Sequence, residues 1–390
     1  MNLTSHQILK TIKRVIGDHE SFVPLHEPTF GGNEWIYVKE CIDEGWVSSV
    51  GSYVDRFERE LAEYIGVKHA VAVVNGTAAL HISLLLAGVK SKEEVLIPSI
   101  SFVATANAVT YCGAVPHFIE VSTETLGIDP NLLEQYLNDI SYRKDGQTIN
   151  RITGRIIRAV VPMHTFGHPV DMEPLLEVCQ RYGLVCIEDA AESLGSTYKN
   201  QHAGSMGLLG AISFNGNKVT TTGGGGAIVT NNTEIARKAK HLTTTAKLPH
   251  KWAFIHDEVG YNYRMPNLNA ALGCAQLEQI DTFVNKKRAL YKKYVQEFKS
   301  VEGVLLFEEK TGVRSNCWLN ALILDQPNKL LLDEVLELTN SNGLMTRPVW
   351  TPLHLLPMYQ DMPSMPLMRT EQLQYQIINI PSSPSLTGGR

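Results

Sequence analysis

The sequence has little of what marks a secreted, membrane-spanning or nucleic-acid-binding protein. Its six cysteines are scattered and form no CxxC pair, so neither a disulfide framework nor a zinc site is expected. No apolar run is long enough to cross a bilayer, and Lys10, Lys13 and Arg14 interrupt the first apolar segment, which is atypical of a signal peptide. A net charge of −5 disfavours nucleic acid or an anionic membrane as a partner. We therefore expect a cytoplasmic protein with buried, reduced cysteines.

The sequence has instead the length and composition of a globular protein with two domains. It contains 390 residues, of which 44% are hydrophobic and 19% charged, and these values are typical of a soluble fold with a large core. Apolar residues at helical spacing predict an amphipathic helix over residues 5–16, which should pack against the body or a partner subunit. We predict an N-terminal helix and arm (1–30), a large domain (31–284) and a smaller C-terminal α/β domain (285–390).

Short apolar strands alternate with helices from residue 70 onwards. The predicted strands are 70–74, 94–97, 115–120, 156–161 and 184–188, and the predicted helices between them are 78–87, 104–111, 132–137 and 172–182. This alternation predicts an α/β fold with a mainly parallel sheet that helices cover on both faces. Ligands of such sheets bind at the carboxyl ends of the strands.

The remaining segments are less regular. Residues 138–155 are polar and should form a loop insertion. A long helical pattern runs from residue 270 to about 298, with a break near Asp281, and should join the domains. The elements expected after it are strand 320–324, helix 330–340, strand 344–349 and a helix near 370–377.

One lysine lies between a turn and a run of four glycines. Lys218 follows Asn215-Gly-Asn217 and precedes Gly223–Gly226. We expect its amine to lie among neutral or apolar groups, where desolvation favours the uncharged form that a Schiff base requires. An exposed turn lysine beside flexible glycines explains this stretch equally well. The nucleotide-binding patterns GxxxxGK[ST] and GxGxxG are absent from it.

Other candidate residues follow predicted strands. Gly76 and Thr77 lie in a turn that opens a helix, where N–H groups and a hydroxyl could bind phosphate or merely cap the helix. Phe102 could stack on a flat ring or fill the core. Asp189 ends a strand, and a buried carboxylate needs a cationic partner such as a protonated pyridine nitrogen. Alternatively, Asp189 and Glu192 form an ordinary capping box.

Together and in this order, these features are far more specific than any one of them. The chain resembles the sugar-nucleotide aminotransferases of the DegT/DnrJ/EryC family, which are fold-type I pyridoxal-phosphate (PLP) enzymes. The resemblance runs from about residue 22 to residue 386. Its motifs are Gly45-Trp-Val-Ser-Ser49, Asn75-Gly-Thr77, Glu188-Asp-Ala-Ala191, Ser213-Phe-Asn-Gly-Asn-Lys218 with Thr222-Gly-Gly-Gly-Gly226, and Gly260-Tyr-Asn-Tyr-Arg264. The N-terminal helix and the Gly45–Gly51 loop are most similar to the branch that makes 4-amino sugars for legionaminic, bacillosamine or related surface glycans.

The resemblance implies a role for each residue around the PLP ring. Lys218 would form the Schiff base with PLP and transfer protons, and Asp189 would keep the ring nitrogen protonated. Phe102 would stack on the ring. Glu192 stands where many relatives have Gln or His near the phenolic oxygen, which leaves its contact open.

The resemblance also implies how phosphate and subunits are held. Gly76, Thr77 and Ser213 would bind the cofactor phosphate. Asn262 matches the family asparagine that reaches the cofactor of the neighbouring subunit, so a homodimer with shared active sites is expected.

Two histidines in one loop do not indicate a metal site. His164 and His168 have no third ligand at a matching spacing, so no metal site is expected.

The implied reaction transfers the amine of L-glutamate to a nucleotide-linked 4-keto-6-deoxy sugar, for surface polysaccharide synthesis. The expected acceptor is UDP-2-acetamido-4-keto-2,6-dideoxyhexose, and a GDP-perosamine-type 4-aminotransferase is the alternative. A PLP-dependent sugar dehydratase is disfavoured, because relatives with that activity have histidine in place of Lys218. A non-catalytic PLP-binding regulator is also disfavoured, because all the catalytic residue types are present. The residues expected to contact the substrate are Ser49, His164, Trp318, Arg347 and His354.

Overall fold

A computed structural model describes residues 3–19 and 21–387. Its α-helices are α1 (Leu3–Ile16), α2 (Glu34–Asp43), α3 (Ser52–Ile65), α4 (Gly76–Leu86), α5 (Val103–Tyr111), α6 (Pro130–Ile140), α7 (Met172–Tyr182), α8 (Thr233–Thr243), α9 (Asn267–Leu277), α10 (Ile280–Phe298), α11 (Lys329–Ser341) and α12 (Met368–Leu373). Short 3-10 helices cover Thr165–Gly167, Leu353–Leu355 and Pro384–Thr387.

The β-strands form two larger sheets and two small ones. They are β1 (His69–Val73), β2 (Glu94–Pro98), β3 (Val115–Ile119), β4 (Ser141–Lys144), β5 (Gln147–Asn150), β6 (Ile156–Val160), β7 (Val185–Asp189), β8 (Thr197–Tyr198), β9 (Gln201–His202), β10 (Leu209–Ser213), β11 (Gly226–Thr230), β12 (Lys247–Leu248), β13 (Ile255–His256), β14 (Val304–Leu306), β15 (Val313–Arg314), β16 (Asn320–Leu324), β17 (Arg347–Pro348) and β18 (Ile377–Ile380).

The largest sheet is parallel at its centre. Its order is β1-β11-β10-β7-β6-β2-β3, with the β4–β5 hairpin beside β6. Strands β10, β7, β6, β2 and β3 are parallel, whereas β11 is antiparallel to both β10 and β1. Successive residues of β1 alternate between two hydrophobic clusters, with Val71 and Val73 in one and Ala70 and Ala72 in the other. The sheet is thus buried on both faces, and the predicted α/β fold is confirmed.

The strand register brings the candidate residues to one edge of this sheet. Asp189 ends β7 and lies opposite Ala211 of β10, so the parallel strands place Asp189 and Ser213 at the same edge. Val73 ends β1, and both Val73 and Ser213 pair with Gly226 of β11. The turn between β1 and α4 therefore lies at this edge too.

The predicted loop insertion at residues 138–155 is wrong, because β4 and β5 form a hairpin there. Lys144 pairs with Gln147 across a two-residue turn, Asp145-Gly146, in which both residues have positive φ. The hairpin lies at the border of the sheet, where one side faces solvent and polar residues are tolerated. An Asp-Gly turn is a strong hairpin signal, so the sequence did contain it.

A second, antiparallel sheet has the order β14-β16-β18-β17. The helix predicted near 370–377 is correct only at its start, since α12 ends at Leu373 and Ile377–Ile380 is an internal strand. The strand predicted at 344–349 is shortened to β17. The long helix breaks between Leu277 and Ile280, slightly before the predicted Asp281. Short apolar runs fit helix and strand alike, which explains the error at Ile377–Ile380.

The N-terminal helix is confirmed as a packing element. Ile8 and Ile12 of α1 are fully buried, in one cluster with Leu290 and Tyr294 of α10 and Val335 of α11. The cysteines are free, and all are buried except Cys112, which is partly exposed. Within the described ranges no helix has both the length and the hydropathy needed to span a membrane. The domain boundaries at residues 30 and 284 stay predictions.

Candidate active site

A cavity of about 380 Å³ opens at the carboxyl edge of the large sheet. Half of its lining consists of predicted site residues: Gly76, Thr77, Phe102, Asp189, Glu192, Ser213, Lys218 and Trp318. The rest of the lining consists of Asn75, Leu80, Ala104, Met163, Ala191, Asn215, Asn217 and Trp350. Residues far apart in the sequence therefore meet here, as the strand-end argument predicts.

The first turn of α4 forms one wall of the cavity. Asn75 caps this helix, because its Oδ1 accepts a hydrogen bond from the Ala78 N–H at 2.8 Å. The N–H groups of Gly76 and Thr77 precede the capped one, at the positive end of the helix dipole. A Cβ on Gly76 would lie 3.0 Å from the Ser213 Cβ and 3.3 Å from its Oγ. Glycine thus allows the helix start to lie against Ser213, and the Asn75 cap engages the Ala78 N–H without using those of Gly76 and Thr77.

Asp189 is buried at the base of the cavity. Its Oδ2 accepts a hydrogen bond from the Thr105 hydroxyl at 2.7 Å, and its Oδ1 accepts one from the Ala191 N–H at 3.2 Å. Burial raises the pKa of Asp189, while these hydrogen bonds and the nearby Lys218 cation oppose the rise. Among the described side chains, no cation forms an ion pair with Asp189. The capping-box alternative is wrong, because residues 190–196 form turns and no helix.

Lys218 extends from a tight turn into the cavity. The main-chain N–H of Lys218 donates a hydrogen bond to the main-chain carbonyl of Asn215 at 2.9 Å. Its Nζ lies 3.3 Å from Glu192 Oε1 and 3.9 Å from the centre of the Trp318 ring. The expectation of neutral or apolar surroundings is therefore wrong, because the carboxylate and the indole face both stabilise an ammonium. The exposed-turn alternative also fails, since only 14% of the side chain is exposed.

Glu192 is the buried counter-ion of Lys218. Its Oε2 accepts a hydrogen bond from the Phe166 N–H at 2.9 Å, and the Asn316 side chain holds its main-chain carbonyl at 2.9 Å. Burial raises the pKa of Glu192 to about 7, although the Lys218 charge and the Phe166 N–H both lower it. Near neutral pH this carboxyl group is therefore only partly ionised.

The glycines after Lys218 allow close packing. A Cβ on Gly225 would lie 2.1 Å from Thr222 Oγ1, and a Cβ on Gly226 would lie 2.4 Å from the carbonyl carbon of Asn75. Strand β11 therefore passes directly against the turn that begins α4. Gly225 and Gly226 are therefore glycines because no side chain would fit there. Backbone flexibility is not needed to explain them.

Phe102 and two tryptophans line the cavity with aromatic surface. Phe102 precedes α5 and is 50% exposed, so the core-filling alternative is wrong. Its ring centre lies 6.4 Å from that of Trp350. Trp318 is buried, and its Nε1 donates to the Asn217 carbonyl at 2.7 Å. These rings offer faces to a flat ligand.

Four of the five predicted substrate residues do not line the cavity, and two of these, His164 and His354, are engaged by other residues of the chain. His164 is fully buried, with its Nε2 3.0 Å from Glu188 Oε2 and its Nδ1 accepting a hydrogen bond from the Val170 N–H at 3.1 Å. Both ring nitrogens are therefore engaged within the protein, and a contact of His164 with the substrate stays a prediction. His354 lies behind the cavity wall, where its Nδ1 is 2.7 Å from the Ser99 hydroxyl.

Three further predicted residues lie outside this cavity but near solvent. Ser49 is half-buried in the loop before α3, and Asn262 is exposed. Arg347 is exposed and lines a neighbouring cavity of about 480 Å³, which shares Trp318 and Trp350 with the first. The roles of these residues stay predictions.

Sequence reasoning missed Thr105, Met163 and Trp350. Met163 and Trp350 line the cavity, and Thr105 supplies the hydrogen bond to Asp189. Thr105 lies three positions after Phe102, in the first turn of α5, so its place on the same side of that helix was a usable signal. Met163 and Trp350 carry no local pattern that separates them from core residues.

Comparison with known proteins identifies the family. The DegT/DnrJ/EryC1/StrS aminotransferase family model matches residues 29–390. GDP-perosamine synthase of Vibrio cholerae is 36% identical over 367 residues, which are 93% of this chain and 95% of that protein. The Bacillus subtilis protein named "Putative pyridoxal phosphate-dependent aminotransferase EpsN" is 37% identical over 335 residues, which are 86% of this chain and 83% of that protein. The solved structure of Helicobacter pylori PseC, described as an aminotransferase involved in the biosynthesis of pseudoaminic acid, has a TM-score of 0.82 and 25% identity and covers 92% of this chain and 93% of that one.

The fold and the cavity thus define a PLP-dependent aminotransferase. The chain belongs to the DegT/DnrJ/EryC1/StrS aminotransferase family. Its relatives include the GDP-perosamine synthase of Vibrio cholerae. The predicted family, enzyme class and cofactor are confirmed. The particular branch within the family is not.

Proposed function

We propose that the protein transfers the amino group of L-glutamate to a nucleotide-linked 4-keto-6-deoxy sugar and forms the 4-amino sugar. A GDP-linked acceptor is the first candidate, because the Vibrio cholerae relative is named a GDP-perosamine synthase. The UDP-2-acetamido-4-keto-2,6-dideoxyhexose expected from the sequence is the second candidate. It is supported by the N-terminal helix and the Gly45–Gly51 loop.

The observation that carries this proposal is the convergence of one lysine, one buried aspartate and one helix start on a single cavity. The donor set fits PLP. Gly76 and Thr77 at the start of α4, together with the Ser213 hydroxyl, would bind the phosphate. Asp189 has no cation paired with it among the described residues and would pair with the protonated ring nitrogen. Lys218 Nζ would be the point of attachment, with Phe102 against the ring.

The side chains of the cavity divide the chemical work. When bound, PLP supplies an aldehyde to which amines attach and a ring that withdraws electrons. Lys218 Nζ removes the α-proton of L-glutamate and returns a proton in the second half of the reaction. Asp189 keeps the ring nitrogen protonated. Trp318 and Phe102 narrow the cavity and limit the entry of water.

We also propose that the active form is a homodimer with shared sites. Asn262 is exposed and does not line the cavity of its own chain, although the family resemblance assigns it to a phosphate. The nearby β12–β13 hairpin presents Trp252, 76% exposed, and Phe254, 80% exposed. Sedimentation measures the oligomeric state of the PLP-loaded wild type and of Asn262→Ala, and a turnover assay measures the activity of each. A wild-type protein that is monomeric and fully active would contradict the proposed dimer.

The substrate is tested by absorbance spectroscopy of the PLP-loaded protein. L-Glutamate should replace the band of lysine-bound cofactor near ~420 nm by a band near ~330 nm. The keto-sugar nucleotide that restores the first band identifies the acceptor, with the GDP-linked and UDP-linked candidates added in parallel. Lys218→Ala is the matched control and should show no cycle. A wild-type spectrum that L-glutamate leaves unchanged would contradict the proposed donor.

A further inference from the structure

The carboxyl group of Glu192 is held in one place by a strained segment. Phe166 has a φ of +56°, a left-handed conformation that is costly for a bulky residue, and this conformation directs its N–H to Glu192 Oε2. Gly167 follows with a φ of +93°, and a Cβ there would lie 1.9 Å from Asn316 Oδ1. Only glycine fits this position. The backbone thus leaves Oε1 of Glu192 as the oxygen that faces Lys218.

The contact between Glu192 and Lys218 lies in a poorly solvated place. Glu192 is 4% exposed, and the Lys218 Nζ is covered by the Trp318 ring on one side. The carboxylate and the indole ring stabilise the ammonium, but separated charges are costly where water cannot solvate them. The free-energy gap between the ion pair and the neutral acid–amine pair is therefore smaller here than in water. The amine and the carboxyl can hold one proton between them without a change in net charge.

The other titratable groups around the pair do not supply an alternative acceptor. These groups are Asp189, His26, His164 and Lys287. Asp189 already accepts two hydrogen bonds, and His164 is engaged by Glu188. The pKa of His26 lies well below its ordinary value, because burial and the two lysine cations disfavour its protonated form. Lys287 bonds to main-chain carbonyls.

We propose that Glu192 is the internal proton acceptor of Lys218. An N–H bond of the ammonium breaks, an O–H bond forms at Glu192 Oε1, and the electron pair stays on Nζ, so that Lys218 becomes an uncharged amine without releasing a proton to water. The inference rests on the proposed function, in which an uncharged Lys218 amine attaches the cofactor. It assigns Glu192 an acid–base task in addition to any contact with the cofactor.

The pH dependence of the amine distinguishes this role from that of a simple counter-ion. If the proton moves within the pair, the fraction of uncharged amine does not change with pH while the pair holds one proton. If the proton must leave to water, that fraction rises tenfold for each pH unit below the pKa of the amine. A purely structural Glu192 would give the second behaviour.

The experiment measures acetylation of Lys218 by acetic anhydride in cofactor-free protein, with a small amine of known pKa added as a reference and peptide mass spectrometry as the readout. The known uncharged fraction of the reference amine gives the concentration of active reagent at each pH. Between pH 7 and 8.5 the rate constant for Lys218, corrected for that concentration, should change less than about threefold in wild type and should rise at least about tenfold in Glu192→Gln. Glu192→Asp, which retains a carboxyl group, should restore a flatter profile. The exposed Lys92 is the internal control and should behave alike in every variant.

A tenfold rise per pH unit in wild type would overturn the proposal, whether or not the Gln variant folds. Equal slopes in wild type and Glu192→Gln would overturn it too. PLP uptake and turnover are measured separately. A flat profile in a protein that never binds PLP would support the proton pair and refute the proposed function, so the two failures are distinguishable.

Discussion

Two lysines contact the same tryptophan, Trp318, and their surroundings differ. Lys218 Nζ lies over the Trp318 ring, faces the cavity and contacts Glu192. Lys287, in α10, is fully buried and donates to the main-chain carbonyl of Trp318 at 3.1 Å and to that of Ser382. Burial lowers the pKa of Lys287 to about 7. A perturbed lysine thus sits in the core with no access to a ligand, whereas the accessible lysine has a proton acceptor beside it. Access and partners, more than the shift itself, mark the functional group.

The largest expected effect comes from removing the lysine in the cavity, and removal of the lysine in the core is its control. Lys218→Ala removes the attachment point and the base, and turnover should fall by about 10³-fold or more. Lys287→Met keeps the volume of the side chain and should retain turnover within about tenfold. Both are measured by glutamate-dependent amination of the keto-sugar nucleotide. If Lys287→Met lost as much activity as Lys218→Ala, the distinction between the lysine in the cavity and the lysine in the core would be wrong.

Asp189→Asn sharpens the cavity side of the comparison. The amide has the size of the carboxylate and can still accept a hydrogen bond from Thr105, but it carries no charge to keep the ring nitrogen protonated. Turnover should therefore fall by about 10²-fold or more while PLP remains bound. Thr105→Val, which removes only the supporting hydroxyl, is the matched control and should have a smaller effect. Stopped-flow absorbance with L-glutamate measures both. Normal rates in Asp189→Asn would remove Asp189 from the mechanism.

Stability against pH sharpens the core side. Because the pKa of Lys287 is lowered to about 7 in the folded state, the unfolded chain binds a proton there that the folded chain lacks at higher pH. The free energy of unfolding should therefore rise with pH above 7, by up to about 1.4 kcal/mol per unit. Urea denaturation between pH 7 and 8.5 should show this rise in wild type, and Lys287→Met should lose that share of the slope. Identical slopes would mean that Lys287 is charged in the folded protein.

The smallest effect is expected at the start of α4. Gly76→Ala would place a methyl group 3.0 Å from the Ser213 Cβ, which should move the helix start and weaken PLP binding about tenfold. Fluorescence titration with PLP measures this affinity. Gly88→Ala has open space around the new methyl group but strains the backbone, because Gly88 has a φ of +79°. Gly88 does not line the cavity, so this variant is the control for a general loss of stability. Unchanged affinity in Gly76→Ala would argue against phosphate binding at this turn.

The sequence was sufficient where function follows strand order. Asp189 and Ser213 could be placed together because parallel strands end at one edge, and Lys218 could be placed near them by its distance from Ser213 along the chain. The contact of Lys218 with Glu192 could not be predicted. It depends on the positive φ of Phe166, which only the folded chain imposes.

The errors in the fold have similar causes. The β4–β5 hairpin was hidden by its polar composition, although its Asp145-Gly146 turn is a recognisable signal. Strand β18 was hidden because Ile377–Ile380 is too short to show a period, and only its place between β16 and β17 decides its conformation. The burial of Lys287 in the core had no signal in the sequence, since a lysine in an amphipathic helix is usually solvated.

The central claim is that Lys218, and not another amine, holds the cofactor. It is tested by loading the protein with PLP, reducing it with borohydride and locating the phosphopyridoxyl group by peptide mass spectrometry. The account predicts a single modified residue, Lys218, and no modification at Lys287. Modification at another lysine, or none after PLP has bound, would contradict it.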